Sequence, residues 1–165
     1  MIELIVLDVD GTLTNGQITY TNSGDELKSF DVADGLAIAT WTKKLGKKAA
    51  IITGRNSKIV ETRAKDLNIT HLHQGIHNKD EVLENILKEE NLSWNQVAAI
   101  GDDLNDYKML KKVGLSFTPA NGSKYINDVV NIRCEAYGGS GAVKEMIEYI
   151  IKEDGIEEEY VNSWL

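Results

Sequence analysis

LIVLDVDGTLT, residues 4–14, is the stretch of sequence that decides the fold. The apolar run Leu4–Leu7 has the length of a short strand buried on both faces, as strands of a parallel sheet are. Asp8 and Asp10 follow where the strand stops, and Gly11 allows the backbone to approach closely. Because ligands of open α/β sheets bind at the carboxyl ends of the strands, both carboxylates are candidates for a site that binds a cation and attacks a substrate. The alternative is a simple Asp-Gly turn, and the later strand ends must decide between the two.

Composition and charge indicate one globular domain over residues 1–165. Apolar residues make up 42% and charged residues 27% of the chain, which is ordinary for a soluble protein. The formal net charge of −8 argues against nucleic acid and anionic membranes as partners. An anionic substrate stays possible, because a local basic pocket or a bound metal overrides net charge. The single cysteine, Cys134, and an N-terminus without the pattern of a signal peptide predict a cytoplasmic protein.

Strand patterns alternate with amphipathic helix patterns along the chain. After the first strand, further strands are predicted at about 47–52, 69–75, 96–100, 114–117 and 129–132. Helices are predicted between and after them, at about 36–45, 57–67, 79–87, 107–113, 123–127 and 142–152. The alternation predicts an α/β fold of the Rossmann-like kind, a parallel sheet flanked by helices.

Two segments stand outside this alternation. Residues 16–30 have alternating flanks around a turn-forming centre, which predicts a β-hairpin inserted after the first strand. A two-stranded hairpin is marginal alone, so we expect its apolar residues, among them Tyr20 and Leu27, to pack against other subunits. The acidic tail 153–165 ends in Trp164-Leu165; docking on a neighbour is an alternative, and disorder is the more common fate of such a tail.

Polar groups also follow two later strands. Thr53-Gly54-Arg55 precedes a helix, so its hydroxyl and the N–H groups of that helix could form an anion site, although an ordinary capped turn explains the pattern as well. Lys79 begins the next helix, where a cation is unfavourable unless it is solvated or faces an anion. Asp102, Asp103 and Asp106 crowd the end of the fourth strand. Carboxylate oxygens clustered there suit Mg²⁺.

Three histidines, His71, His73 and His77, offer a minor alternative metal site. Neutral imidazole is a common zinc ligand. No cysteine or fixed ligand spacing accompanies these residues, so the sequence favours the carboxylates instead.

The joint occurrence of DVDGT at 8–12, TGR at 53–55, Lys79 and GDDLND at 101–106 resembles the haloacid dehalogenase-like phosphotransferase superfamily. The hairpin, the lack of a large cap, and the segments FDVADG, HQGIHNK and GGSGAVKE are similar to the cap-less 3-deoxy-D-manno-octulosonate 8-phosphate phosphatases. The resemblance implies a Mg²⁺-dependent hydrolase of that sugar-acid phosphate, acting in lipopolysaccharide precursor synthesis. It also implies a homotetramer whose hairpins meet at the centre.

The same resemblance assigns roles in the reaction. Asp8 would be the nucleophile that forms an aspartyl-phosphate. Asp10 would be the general acid toward the leaving alkoxide and then the general base toward water. Thr53, Gly54 and Lys79 would hold the phosphoryl oxygens.

A metal site is implied around the same residues. Mg²⁺ would be bound by Asp8, the backbone carbonyl of Asp10 and Asp102, which would offset the repulsion between carboxylate and phosphate. Asp103 and Asp106 would orient waters or Lys79.

Substrate preference depends on fewer residues. Arg55 could bind a sugar-acid carboxylate, and relatives acting on nine-carbon keto-deoxy sugar phosphates tend to carry Glu there, so Arg55 favours the eight-carbon substrate. Ala33 stands where the eight-carbon enzymes usually have Arg, which keeps a nine-carbon substrate of the KDN or sialic acid type open. Arg63 could supply positive charge toward a neighbouring site or be a solvated helix residue.

Two non-enzymatic functions compete with the phosphatase interpretation. One is a silent domain that oligomerises a partner such as a sugar-nucleotide synthetase, and the other is a regulator with an aspartyl-phosphate site. A catalytically silent domain is disfavoured because the set of candidate catalytic residues is intact: Asp8, Asp10, Thr53, Lys79 and Asp102. The hairpin fits a regulator poorly.

Overall fold

A six-stranded parallel sheet forms the centre of the computed structural model, which describes all residues 1–165. Its strands are β1 (Leu4–Leu7), β4 (Lys48–Ile52), β5 (His71–His73), β6 (Val97–Ile100), β7 (Leu115–Thr118) and β8 (Ile132–Arg133), in the spatial order β5-β4-β1-β6-β7-β8. The helices are α1 (Val32–Ala39), α2 (Lys58–Asp66), α3 (Lys79–Glu90), α4 (Tyr107–Lys112), α5 (Ala142–Glu153) and α6 (Glu157–Asn162). The predicted α/β class is confirmed.

Strand register brings three of the motifs to one edge of the sheet. β1 lies between β4 and β6, and Leu7 is paired with Ile51 on one side and Ile100 on the other. All three strands run in the same direction, so their carboxyl ends meet at this edge. The candidate residues that follow them are Asp8, Thr53 and Asp102.

The alternation of side chains along β1 divides the core into two layers. Ile5 and Leu7 belong to the layer under α1, α2 and α5, whereas Leu4 and Val6 belong to the layer under α3 and α4. All four side chains are fully buried. Burial on both faces, as expected for a central parallel strand, fixes the end of β1 and therefore the position of Asp8.

Two predicted boundaries are wrong for identifiable reasons. The first helix begins at Val32 rather than near 36, because the Asp31 carboxylate accepts the N–H of Asp34 and caps the helix earlier. The last strand is Ile132–Arg133 rather than 129–132. The Val129 carbonyl accepts the Ser116 hydroxyl at 2.9 Å instead of a backbone N–H of β7, and the pairing register with β7 begins only at Ile132.

The hairpin and the tail both differ in detail from expectation. The hairpin insertion is present, but its antiparallel strands β2 (Thr19–Tyr20) and β3 (Glu26–Leu27) have only two residues each. The expectation of a disordered tail is wrong, because the tail forms α6 and the Trp164 indole donates to the Thr40 hydroxyl at 3.1 Å. None of the helices combines the length and the apolar surface that crossing a bilayer requires.

Candidate active site

The loop after β1 packs directly against the end of β6. Gly11 has a φ of +91°, a conformation that L side chains rarely adopt, and a Cβ built there would lie 2.2 Å from Asp102 Oδ2. The Thr12 hydroxyl donates to Asp102 Oδ1 at 3.1 Å. The DVDGT loop therefore needs glycine at position 11, because the Asp102 carboxylate lies directly against the backbone of this residue.

Lys79 connects the residues that follow β1 with those that follow β6. Its ammonium lies 2.7 Å from Asp8 Oδ1 and 2.6 Å from Asp106 Oδ1, and all three side chains are buried. Asp106 Oδ2 accepts the backbone N–H groups of Asp102 and Asp103 at 2.9 and 3.3 Å. Asp106 thus orients Lys79 and fixes the turn after β6.

The electrostatics of this cluster show an excess of negative charge. Burial raises the pKa of Asp8 to about 7, although the nearby Lys79 ammonium acts to lower it. Burial also raises the pKa of Asp106 to about 6, and the Asp8 carboxylate adds to that effect. Burial acts to lower the pKa of Lys79, but Asp8 and Asp106 outweigh burial and raise it. One ammonium among these carboxylates leaves negative charge uncompensated, which a bound cation would neutralise.

The donor set fits a hard divalent cation. Carboxylate oxygens of Asp8, Asp102 and Asp106 lie within 4.8 Å of one another. Because the oxygens of Asp106 already accept bonds from Lys79 and two backbone N–H groups, Asp8 and Asp102 are the carboxylates better placed to hold the ion. Oxygen ligands of this kind suit Mg²⁺.

Thr53 lies at the same edge and is 2% exposed. Its backbone N–H donates to His73 and its carbonyl accepts the N–H of Ile76, at 3.0 and 3.1 Å, so the loop after β4 is held between β5 and the start of α3. Gly54 and Arg55 follow on the surface. Thr53 is thus held in place by its backbone while Gly54 and Arg55 remain accessible.

Two residues of the hairpin, Lys28 and Glu26, reach the site and were not anticipated from the sequence. Lys28 Nζ lies 2.5 Å from Asp10 Oδ1 and 3.1 Å from Glu26 Oε1, and the Lys28 side chain is 1% exposed. Burial acts to lower the pKa of Lys28, but the hydrogen bonds to the two carboxylates outweigh it and raise the pKa. Arg55 Nη2 lies 3.2 Å from the same Glu26 oxygen. Nothing in the local pattern of residues 16–30 indicated which way these side chains point.

Two other candidates, Asp103 and Arg63, lie outside this cluster. Asp103 is exposed and caps the turn after β6 by accepting the N–H of Leu104 at 2.8 Å, so it does not reach Lys79. Arg63 donates to the Asp31 carbonyl at 3.3 Å and stacks on the Phe30 ring at 5.3 Å, so it is not a freely solvated residue of α2.

The three histidines do not form a group of metal ligands. His71 Nε2 pairs with Glu90 Oε1 at 2.7 Å, and no histidine joins the group of carboxylates that could hold a metal. The alternative of a zinc site built from the histidines is therefore not supported.

The class of protein follows from this geometry together with the family comparison. Residues 71–147 match the family model of haloacid dehalogenase-like hydrolases. Strand-end carboxylates and a buried lysine at one edge of a parallel sheet define the protein as a hydrolase of that class.

Comparison with known proteins narrows the class to one family. The chain is 39% identical over 155 residues to the 3-deoxy-D-manno-octulosonate 8-phosphate phosphatase of Escherichia coli K12, which covers 93% of this chain and 81% of the relative. The corresponding Yersinia pestis phosphatase is 39% identical over 151 residues, covering 91% of this chain and 80% of the relative. The chain belongs to the 3-deoxy-D-manno-octulosonate 8-phosphate phosphatase family.

Solved structures agree with this assignment. The Moraxella catarrhalis phosphatase, solved with magnesium, phosphate and KDO, has a TM-score of 0.94 and 37% identity, and the match covers 99% of this chain and 94% of that one. The cobalt-bound Haemophilus influenzae phosphatase has a TM-score of 0.88 and 34% identity, with 93% and 90% covered.

Proposed function

We propose that this protein is a Mg²⁺-dependent phosphatase that hydrolyses 3-deoxy-D-manno-octulosonate 8-phosphate to KDO and phosphate, a step of lipopolysaccharide precursor synthesis. The observation that carries the proposal is the buried contact of Lys79 with Asp8 beside Asp102 at the end of the central strand. The names of the relatives and the magnesium, phosphate and KDO of the Moraxella structure support the substrate and the cofactor.

In the first half of the reaction, a carboxylate oxygen of Asp8 attacks phosphorus and the bond between phosphorus and the sugar oxygen breaks. Asp10 gives its proton to that leaving oxygen, which otherwise departs as a poor alkoxide leaving group. In the second half, Asp10 takes a proton from water, which attacks the aspartyl-phosphate and releases phosphate from Asp8. Magnesium held by Asp8, Asp102 and the Asp10 carbonyl supplies positive charge that offsets the repulsion between the nucleophile and the phosphate.

Thr53, Gly54 and Lys79 provide the phosphate-binding groups in this proposal. The Lys79 ammonium is fixed by Asp106, so it can contact a phosphoryl oxygen without first being ordered. Thr53 stands at the neighbouring strand end, where its hydroxyl and the following backbone N–H groups can donate to a second oxygen.

Arg55 is our candidate for binding the sugar-acid carboxylate. Its side chain is 45% exposed and is anchored by Glu26 at 3.2 Å, so part of its guanidinium stays available to a ligand. A nine-carbon keto-deoxy sugar phosphate remains the second candidate substrate, because Ala33 replaces the arginine usual in the eight-carbon enzymes. Arg63 is held near Asp31 and Phe30, so a role toward a neighbouring site would depend on assembly.

We also propose a cytoplasmic homotetramer assembled through the hairpins. Tyr20 and Leu27 are 61% and 52% exposed, although both belong to residue types that favour burial. A hairpin with two-residue strands gains stability from a partner, which supports this face as the subunit contact.

The experiment that tests the function is steady-state hydrolysis of a panel of sugar phosphates by the purified protein, with Mg²⁺ and with chelator. We expect the eight-carbon sugar-acid phosphate to have the highest kcat/KM and to require the metal. Flat, metal-independent rates across the panel would instead favour a non-catalytic oligomerisation domain for a partner such as a sugar-nucleotide synthetase.

A further inference from the structure

The most informative contact outside the proposed reaction is the one between the hairpin and Asp10. Lys28 follows β3 and lies 18 residues from Asp10 in sequence, yet its ammonium is 2.5 Å from Asp10 Oδ1. The Lys28 side chain is 1% exposed, whereas that of Asp10 is 20% exposed. A lysine is rarely buried so fully unless it is paired, and here it is paired within the chain itself.

From this contact we propose that Lys28 is a positioning residue for the general acid and base Asp10. The inference rests on the proposed phosphatase function and adds to it a residue that acts through Asp10. With Lys28 bound to Oδ1, the second oxygen, Oδ2, is the one left to exchange a proton with the leaving sugar oxygen and with water. Lys28 thereby fixes which oxygen of the carboxylate faces the reaction.

Glu26 gives this contact its rigidity. Its Oε1 lies 3.1 Å from Lys28 Nζ and 3.2 Å from Arg55 Nη2, so the lysine is bound by two carboxylates and cannot turn away from Asp10 without losing both. Charge-assisted hydrogen bonds of this length are stronger than neutral ones. The chain of contacts runs from Asp10 through the hairpin to Arg55, so the hairpin joins the proton-transfer residue to the proposed carboxylate-binding residue.

The competing explanation is that Lys28 merely attaches the hairpin to the domain. In that case removing the Lys28 side chain would loosen the fold and would lower kcat by the same factor whether or not Asp10 is present. A role through Asp10 predicts a different pattern, because removing Lys28 cannot misplace a carboxylate that is no longer there.

A double-mutant cycle on kcat separates these explanations. The proteins are the full-length wild type, Lys28→Met, Asp10→Asn and the double variant, with Mg²⁺ and the eight-carbon sugar phosphate. We expect Lys28→Met to lower kcat at least tenfold in the wild-type background and less than twofold in the Asp10→Asn background. Equal fold-losses in the two backgrounds would overturn the proposal. If Lys28→Met does not fold, Lys28→Gln is put through the same cycle.

A second readout uses the leaving group. Nitrophenolate leaves without a donated proton, so Lys28→Met should retain the wild-type rate of the initial nitrophenolate burst from p-nitrophenyl phosphate while its turnover of the sugar phosphate falls. A burst slowed as much as sugar-phosphate turnover would contradict the positioning role.

The matched control is Lys47→Met. Lys47 is also a mostly buried lysine, with its side chain 11% exposed and paired with Glu3 at 3.3 Å, but it precedes β4 at the opposite edge of the sheet. We expect its kcat to equal that of the wild type. The Asp8→Asn variant separates the two proposals: if it keeps turnover, the phosphatase mechanism fails, whereas if it is inactive and the cycle shows equal losses, only the role of Lys28 fails.

Discussion

Lys79 Nζ lies 2.7 Å from Asp8 Oδ1, and both side chains are buried at the carboxyl end of the central strand. The contact joins the first motif of the chain to the start of α3, 71 residues away. The contact therefore places the Lys79 ammonium beside the proposed nucleophile before any ligand binds.

Lys79→Met should abolish turnover and also destabilise the fold. It leaves Asp8 and Asp106 buried without their counter-charge, a change that typically costs about 3–5 kcal/mol. Adding Asp106→Asn to it should restore part of the free energy of unfolding, measured by urea denaturation, but none of the activity. Recovery of activity together with stability would mean that Lys79 acts on the fold alone.

Gly11→Ala should lower both stability and metal affinity. The new Cβ would lie 2.2 Å from Asp102 Oδ2 and would also be strained at a φ of +91°. We expect a stability loss of about 1–3 kcal/mol and a Mg²⁺ affinity at least tenfold weaker by calorimetry.

Gly24→Ala is the matched control for this change. Gly24 has a φ of +90° but no atom within 4 Å of its Cβ position, so this variant carries the backbone strain without the contact. It should lose about 1 kcal/mol of stability and keep its metal affinity. Equal metal affinities in the two variants would show that the close approach to Asp102 is unimportant.

Stability without metal should fall as the pH rises from about 4 to about 7. The pKa of Asp8 is raised from 3.8 to about 7, so the folded state binds this proton more tightly than the unfolded state does, and stability is lost as the proton leaves. Mg²⁺ requires the ionised carboxylate, so it should raise the melting temperature more at pH 8 than at pH 5.

Asp8→Asn removes the titrating group and should reduce this pH dependence. Melting curves of the wild type and the variant, with and without Mg²⁺ at the two pH values, make the comparison. The contrary result is a metal-free wild type that is more stable at pH 8 than at pH 5, with a gain at least as large as that of the variant. It would show that burial does not hold the Asp8 proton.

Much of this architecture could be predicted from local sequence. Asp8, Thr53 and Asp102 each follow a short apolar strand, and parallel strands bring such ends together whatever the rest of the chain does. A lysine at the start of a helix is unfavourable unless it is solvated or faces an anion, and the structure shows that Lys79 faces the Asp8 carboxylate.

Other features depend on contacts that no local pattern contains. Lys28 reaches Asp10 only because the hairpin folds back over the loop after β1. The Trp164 indole donates to the Thr40 hydroxyl, 124 residues away in sequence. This contact packs the tail on the domain, where it forms α6, although the tail pattern predicts disorder. A turn or tail pattern predicts that the chain bends, but it does not determine which distant group its side chains meet.

The hairpin face should control assembly. Leu27→Asp places a charge in the proposed subunit contact, where it would be desolvated, so we expect the tetramer to dissociate at micromolar concentration in light scattering. Val161→Asp, at a residue of α6 that is 54% exposed, is a control that should leave the mass unchanged. A wild type that is monomeric at the same concentration would refute assembly through this face.

The central claim is that Asp8 becomes phosphorylated during turnover. The most direct measurement is rapid quenching of the wild type and of Asp8→Asn with ³²P-labelled sugar-acid phosphate and Mg²⁺, followed by peptide mapping of acid-stable, hydroxylamine-sensitive label. We expect label on the peptide that contains Asp8 in the wild type and none in the variant, which should also lose turnover. Full turnover by the variant, checked by mass spectrometry for deamidation, or label on another residue would contradict it.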